Sequence, residues 1–577
     1  MSAAAKMKPQ AAWTRALETV ARATRDPQRT LPRAVADWAV RYGARPALVS
    51  DGESYSFECL APRLNQYARW ALARGTRKGE TVALMMRNRP EYVAIWLGLT
   101  RIGAVVALIP PDLRGAALAH ALRAAQAEAA IGEADVLRDA GFAGEIWTLG
   151  EGERRLEEAV ALYSGAPLSE GDAAPVTLDD RALRIFTSGT TGMPKAAEVS
   201  HRKIVAWTHW FAGLAGLDET DRHYNCLPMH HSVGGVVAVG APLVNGGACV
   251  IAPKFSSSRF WDDVARFDCT SFQYIGELCR YLVAAPTHIR ERGAKLKLAL
   301  GNGLAAPVWA DFAARFPKVR VMEFYASTEG NVWLYNVESR LGALGRLPPY
   351  LAAKAPIALV AFDEDAQAPA RGADGFCHAC GVDEPGEALG RIAGDAASRF
   401  EGYSDAEATE KKILRDVFVK GDAWMRTGDL MRRDAEGFYH FIDRVGDTFR
   451  WKGENVACAQ VFEALRRVPG VSDALVYGVT VPGHEGRAGM AALSGEFDWA
   501  ALSAALAALP RWARPVFLRL TDEISRTETL KPRRAVYVAQ GFDPAAPGDL
   551  VFIADGEGFR PLTPSAYEAV LSGALRV

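Results

Sequence analysis

Between Phe57 and Ala127 the spacing of apolar residues alternates between a helical and a strand period. Leu60, Leu64, Tyr67, Ala68 and Ala71 recur at helical intervals, residues 81–86 form an apolar run of strand length, residues 92–102 are helical again, and residues 104–109 form a second run. Strand, helix and strand at this spacing imply a parallel sheet covered on both faces, because a parallel connection needs a crossover and the crossover helices hide the sheet. The alternation returns over residues 182–252 and 297–322, so the expected class is α/β. From about Asp443 the pattern becomes that of a small α+β domain, with helices over 459–467 and 499–509 and a strand over 474–479. A boundary between a large domain and a small one is therefore expected near Asp443. Gly446 and Asp447 form the hinge, where a glycine absorbs backbone rotation cheaply.

Charge and cysteine usage narrow the function classes. The 577 residues carry 67 Lys+Arg and 68 Asp+Glu, and the part from Asp443 onward carries 15 and 16, so no domain is a polycation and nucleic acid is not the expected partner. Eight cysteines are too few for a disulfide framework, and Cys226, Cys249, Cys269 and Cys279 sit in apolar stretches, which points to a reducing, cytoplasmic setting. Cys377 and Cys380 flank His378 without a second pair at zinc-ribbon spacing and read as a Gly-rich turn. The first 33 residues hold seven basic side chains and no signal-peptide core; a solvated helix is expected, with a transit peptide or membrane-surface helix as the alternatives. The uncharged stretch 232–253 is broken by six glycines and prolines among other turn formers, and reads as strands and turns.

The segment Thr187-Ser188-Gly189-Thr190-Thr191-Gly192-Met193-Pro194-Lys195 follows a strand-like run. Glycines let backbone N–H groups converge on phosphate oxygens, the hydroxyls add donors, and Lys195 adds a point charge. It is not a Walker A loop. This segment resembles the phosphate-binding signature of the adenylate-forming superfamily of acyl-CoA synthetases, luciferases and peptide-synthetase adenylation domains. Three further segments resemble that superfamily in its order: residues 323–331 (EFYASTEGN), residues 425–430 (MRTGDL), and residues 443–447 (DRVGD) with 452–455 (KGEN). Residues 254–263, 273–277, 301–304, 420–424, 448–455 and 541–544 are similar to the fatty-acid transport protein and very-long-chain acyl-CoA synthetase family, a likeness running from about residue 35 to the C-terminus.

The resemblance implies an ATP-dependent ligase with an N-terminal extension (1–34), a large adenylation domain (35–442) and a small mobile C-terminal lid (443–577). It would activate a long- or very-long-chain fatty acid as acyl-adenylate and pass it to coenzyme A, with Mg²⁺ as the metal. It assigns Glu329 to Mg²⁺ and Thr328 and Lys195 to the phosphates, alongside Thr187, Ser188, Gly189, Thr190, Thr191 and Gly192. Tyr325 would stack on adenine against Gly301, Asn302 and Gly303; Asp429 and Arg444 would hold the ribose; Lys531 would bring the acid and the α-phosphate together. His231, in residues 228–235 (PMHHSVGG), stands where a gate to the acyl pocket is expected, with a structural histidine as the equal alternative. The chain departs from the pattern at Ala326, where a glycine is common, and at Glu528, a carboxylate near Lys531. A ligase for a bile or aromatic acid, or a fatty-acid uptake protein with little turnover, stays open beside this reading, as do oligomeric state and peripheral membrane contact.

Overall fold

The computed structural model describes residues 8–577 except 138–140, 188–194, 353–356, 364–365, 367, 395–397, 446–447, 452–453, 485, 528–531, 546–548, 557 and 576. Contacts divide the chain into two compact units, the first comprising residues 1–355 and 392–413 and the second residues 356–391 and 414–577.

The first unit contains two sheets. One has six strands in the order Glu145–Leu149, Ala129–Glu133, Thr81–Met85, Val105–Leu108, Arg181–Thr187 and Lys195–Ser200; all pairs are parallel but the last, a hairpin. The other has eight strands, of which the inner six are parallel and each edge is closed by an antiparallel partner. The predicted elements over 57–109 appear as the helix Phe57–Ala73, the strand Thr81–Met85, the helix Pro90–Arg101 and the strand Val105–Leu108. Both strands are buried along their whole length, which is why they read as unbroken apolar runs rather than alternating ones.

Two expectations are corrected. Residues 233–243 are helical, a π-turn Val233–Val237 leading into the helix Ala238–Leu243, and only Ala248–Ile251 is a strand. The glycines there serve close packing rather than turns: a Cβ on Gly235 would lie 1.9 Å from the Met229 carbonyl oxygen, and one on Gly240 would lie 2.3 Å from the Thr208 side chain. No helix among the described residues is long and apolar enough to cross a membrane. The N-terminal helix Pro9–Thr24 is not merely solvated; it buries Ala12, Trp13, Ala16 and Ala23. Trp13 packs against Trp210, Trp333 and Tyr335, Ala16 lies against Gly213 so closely that a Cβ there would meet its Cα at 2.4 Å, and Arg15 Nε donates to the Gly213 carbonyl at 2.6 Å.

Among its described residues the second unit holds two larger sheets and two two-stranded ones, Phe362–Asp363 with Ala368–Pro369 and Thr448–Trp451 with Glu454–Ala457. Ile357–Val360, Gly386–Arg391, Ala423–Arg433 and Tyr439–Arg444 pair antiparallel in one of the larger sheets. The other larger sheet is five-stranded and mixed, beginning with Asp473–Val479 and Ala488–Ser494, and packs with the helices Cys458–Leu465 and Trp499–Ala507 around one core. The three elements expected over 459–509 are these. Cys377 is buried among Val360, Leu389 and Val417, and the Cys380 thiol lies 3.5 Å from the Pro385 carbonyl.

Candidate active site

The phosphate segment is the tip of a hairpin. Thr187 and Lys195 face each other at the ends of the strands Arg181–Thr187 and Lys195–Ser200, so strand pairing brings both flanks of the loop to one place. Ser188, Gly189, Thr190, Thr191 and Gly192 lie outside the described residues. A third segment joins the edge of this hairpin: Glu198 N donates to the Gly402 carbonyl at 3.0 Å and Ser404 N to that of Ala196 at 2.9 Å, which sets Tyr403 beside Ala197. The Tyr403 hydroxyl has the Glu329 carboxylate and the Thr187 side chain as its polar neighbours. Burial first, and the Glu329 charge second, push its ionisation well above that of an ordinary tyrosine, so it stays a neutral donor. Lys195 Nζ stands 5.7 Å from the Tyr403 ring centroid, within cation–π range.

The loop bearing Thr328 and Glu329 is fixed from the helix His201–Ala215. Lys203 Nζ donates to the Thr328 carbonyl at 2.7 Å and lies 5.5 Å from the Trp207 ring centroid. Burial lowers the Lys203 ionisation below that of an ordinary lysine, and the Glu401 and Glu329 charges oppose that shift. Glu401 in turn accepts from Ser200 N at 2.8 Å and from the Ser200 hydroxyl, while Ser200 caps the helix by accepting from Lys203 N. The Thr328 hydroxyl is 2.9 Å from Ser232 Oγ, which ties the loop to the segment before the π-turn. His231 thus adjoins the Thr328 loop through the backbone; its ring is half-buried and 4.3 Å from that of His230. His230 is the more deeply buried of the two, and burial lowers its ionisation to about 4.

The turn expected to face adenine sits where parallel strands end, the end at which open α/β sheets bind ligands. Gly301 and Asn302 close the strand Leu298–Asn302, and Gly303 follows at φ +78°. Gly301 lies beside Glu323 on the neighbouring strand Arg320–Ala326, two residues before Tyr325. A Cβ on Gly301 would stand 2.3 Å from the Tyr274 carbonyl oxygen, and one on Gly276 would stand 1.8 Å from that of Gly303, so the turn is packed tightly from below. Asn302 Oδ1 is buried and accepts no hydrogen bond, an acceptor suited to the exocyclic amine of adenine. The carboxylate of Glu329 and the hydroxyls of Thr328 and Thr187 are the hard oxygen donors that suit Mg²⁺, which binds through one or two carboxylates plus substrate phosphates.

In the second unit, residues 427–429 form a bulge in the strand Ala423–Arg433. Glu387 pairs with Leu430 and Leu389 with Arg426, so three residues oppose Ala388. Gly428 takes φ +77°, the Thr427 hydroxyl donates to the Ala388 carbonyl at 2.7 Å, and Gly428 N donates to the buried Glu387, which also holds Arg426. Asp429 is directly across from Arg444, 3.2 Å from its Nε, and the two form an ion pair. Lys531, Gly446 and Asp447 lie outside the described residues.

Sequence reasoning missed Tyr403, Lys203, Ser232 and Glu401. Nothing in the local pattern around Tyr403 marks it; only its alignment against the hairpin edge gives it a role. Lys203 had one signal, the Ser200 cap that places it in the first turn of a helix leaving the hairpin.

The sequence pattern of the AMP-binding enzyme family matches residues 35–366. The chain is 38% identical over 577 residues to human long-chain fatty acid transport protein 1, covering 94% of this chain and 88% of that one. It is 39% identical over 535 residues to mouse long-chain fatty acid transport protein 3, covering 88% and 80%. The fold also matches the ATP-bound structure of MatB from Rhodopseudomonas palustris (TM-score 0.73, 22% identity, 90% and 98% covered) and the anthranilate CoA ligase AuaEII in complex with anthranoyl-AMP (0.72, 21%, 87% and 95%). The chain belongs to the AMP-binding enzymes, the adenylate-forming class. Within that class it belongs to the long-chain fatty acid transport protein family.

Proposed function

We propose that this enzyme activates a long- or very-long-chain fatty acid with ATP and transfers the acyl group to coenzyme A. The observation that carries the reading is the Tyr403 hydroxyl, which has both Glu329 and Thr187 as polar neighbours at the mouth of the phosphate hairpin. Three segments far apart in sequence are drawn together around one carboxylate, an expensive arrangement unless that carboxylate has work to do. The choice of a fatty acid is supported by the names of the curated relatives.

In the first step the carboxylate oxygen of the acid attacks the α-phosphorus of ATP, the bond to the bridging oxygen breaks, and pyrophosphate leaves. In the second the thiol sulfur of coenzyme A attacks the acyl carbon and AMP leaves. Mg²⁺ bound at Glu329 supplies charge neutralisation on the phosphates. Lys195 adds a cation at the hairpin mouth, Tyr325 and Asn302 receive the base, and Asp429 with Arg444 takes the ribose. Lys531 presents an ammonium to the acid and the α-phosphate, and the small domain, residues 443–577, rotates about Gly446 and Asp447 between the two steps. His231 stands at the acyl side of the Thr328 loop. Since each buried CH₂ is worth about 0.8 kcal/mol, an acid of this class binds chiefly through its chain, and its partition into bilayers favours peripheral membrane contact. Pyrophosphate release with ATP, Mg²⁺ and acids of graded length, with and without coenzyme A, tests the reading: release should rise with chain length. Release only with aromatic or bile acids would replace the substrate, and tight acyl binding without release would make this an uptake protein.

A further inference from the structure

Glu323 has no part in the chemistry above, yet its setting is unusual. It is 2% exposed, on the strand Arg320–Ala326, in the second position before Tyr325. One carboxylate oxygen accepts from Leu304 N at 3.1 Å and the carboxylate also accepts from Gly303 N; the other oxygen accepts from the Tyr274 hydroxyl. The titratable groups facing it are Tyr274 on the strand Ser271–Ile275 and Cys279 on the helix Gly276–Ala284, and among the described residues no cation acts on it. A buried acid without a counter-charge costs stability, and burial raises its ionisation to about 8 despite those three bonds. An apolar side chain of similar size would fill the space more cheaply. What only a carbonyl or carboxylate oxygen does here is hold two backbone N–H groups of the turn that follows Asn302.

We propose that Glu323 is a positioning residue for the nucleotide base: it fastens the Gly303–Leu304 backbone to the strands bearing Tyr274 and Tyr325, so that the Gly301–Gly303 turn and Tyr325 keep the separation a purine needs. The inference rests on the nucleotide reading of this turn. It explains why Gly303 sits at φ +78° with its carbonyl pressed against Gly276. It also separates geometry from charge, because a glutamine in its place still accepts from the two N–H groups while its amide donates to the Tyr274 oxygen.

The test measures Mg-ATP binding at equilibrium and the kinetics of pyrophosphate release for the wild type, Glu323→Gln, Glu323→Met and Tyr274→Phe, with melting temperatures as the check on folding. In Glu323→Met the Kd and KM for ATP should rise about tenfold with kcat within about twofold, since the turn loses its side-chain acceptor away from the reacting atoms. Glu323→Gln should bind ATP as the wild type does. Tyr274→Phe, which leaves both turn bonds in place and serves if the methionine variant does not fold, should weaken ATP binding only a few-fold. Because its raised ionisation makes Glu323 bind more protons folded than unfolded between about pH 4.5 and 8, the wild type loses stability relative to Glu323→Gln as pH rises through that window. Unchanged ATP binding in Glu323→Met, or equal loss in Gln and Met, overturns the proposal while leaving the ligase reading intact. A wild type that binds no Mg-ATP overturns both.

Discussion

The hairpin mouth of the first unit and the Asp429–Arg444 pair of the second are both set by strand pairing, and there the likeness ends. At the hairpin, Thr187, Glu329 and Tyr403 come from three distant segments, and the hydroxyl that unites them is 9% exposed at the residue level. In the second unit the geometry is local: a three-residue bulge turns Asp429 toward Arg444, whose side chain is 51% exposed. A partly buried network drawn from distant segments is sensitive to substitution, because a lost partner leaves a polar group that water replaces only in part. A half-exposed ion pair is screened and worth about 0–1 kcal/mol in itself, so its use lies in orientation.

The contrast is sharpest in Glu329→Gln, which should cut adenylation by about 10²- to 10³-fold at saturating acid, read as pyrophosphate release. Lys531→Ala should fall as far in that half-reaction, but retain thioester formation from preformed acyl-adenylate; equal loss in both would refute the division of labour between the steps. Tyr403→Phe removes a polar neighbour of a charged group and should cost about tenfold in kcat/KM for ATP; an unchanged value would mean the hydroxyl only decorates the site. Acid should also tell the units apart. His201, His209, His223 and His230, all in the first unit, have ionisation lowered by burial to about 4. Each therefore binds fewer protons folded than unfolded between about pH 6.5 and 4, so the stability they carry is present above pH 6.5 and is lost as pH falls through that window. Among its described residues the second unit buries no histidine, and hydrogen exchange should show the first unit loosening first. Arg444→Ala should be mildest, raising KM for ATP by no more than about fivefold.

How much of this was legible varies with the distance over which each feature is decided. The strands Thr81–Met85 and Val105–Leu108 announced themselves because full burial imposes an unbroken apolar run. Residues 233–243 misled because glycines that read as turns are there to let a helix approach Met229 and Thr208. Thr427-Gly428-Asp429 was visible as a motif, but whether it made a turn or a strand bulge depended on what Gly386–Arg391 placed opposite it. The N-terminal helix showed its basic side chains plainly and concealed that Trp13 and Ala16 pack on the helix His201–Ala215.

By itself the sequence determined which chemical groups are present and in what order: the hydroxyl- and glycine-rich loop, Thr328 and Glu329, Asp429 and Lys531. Those are properties of short windows, where residue type and spacing act through local backbone geometry. Tertiary structure alone decided that Tyr403 neighbours Glu329, that Lys203 holds the Thr328 carbonyl, and that Glu323 is buried with no counter-charge among the described residues. Desolvation and hydrogen-bond geometry depend on which atoms a fold brings within about 3 Å, and no window of sequence contains that information.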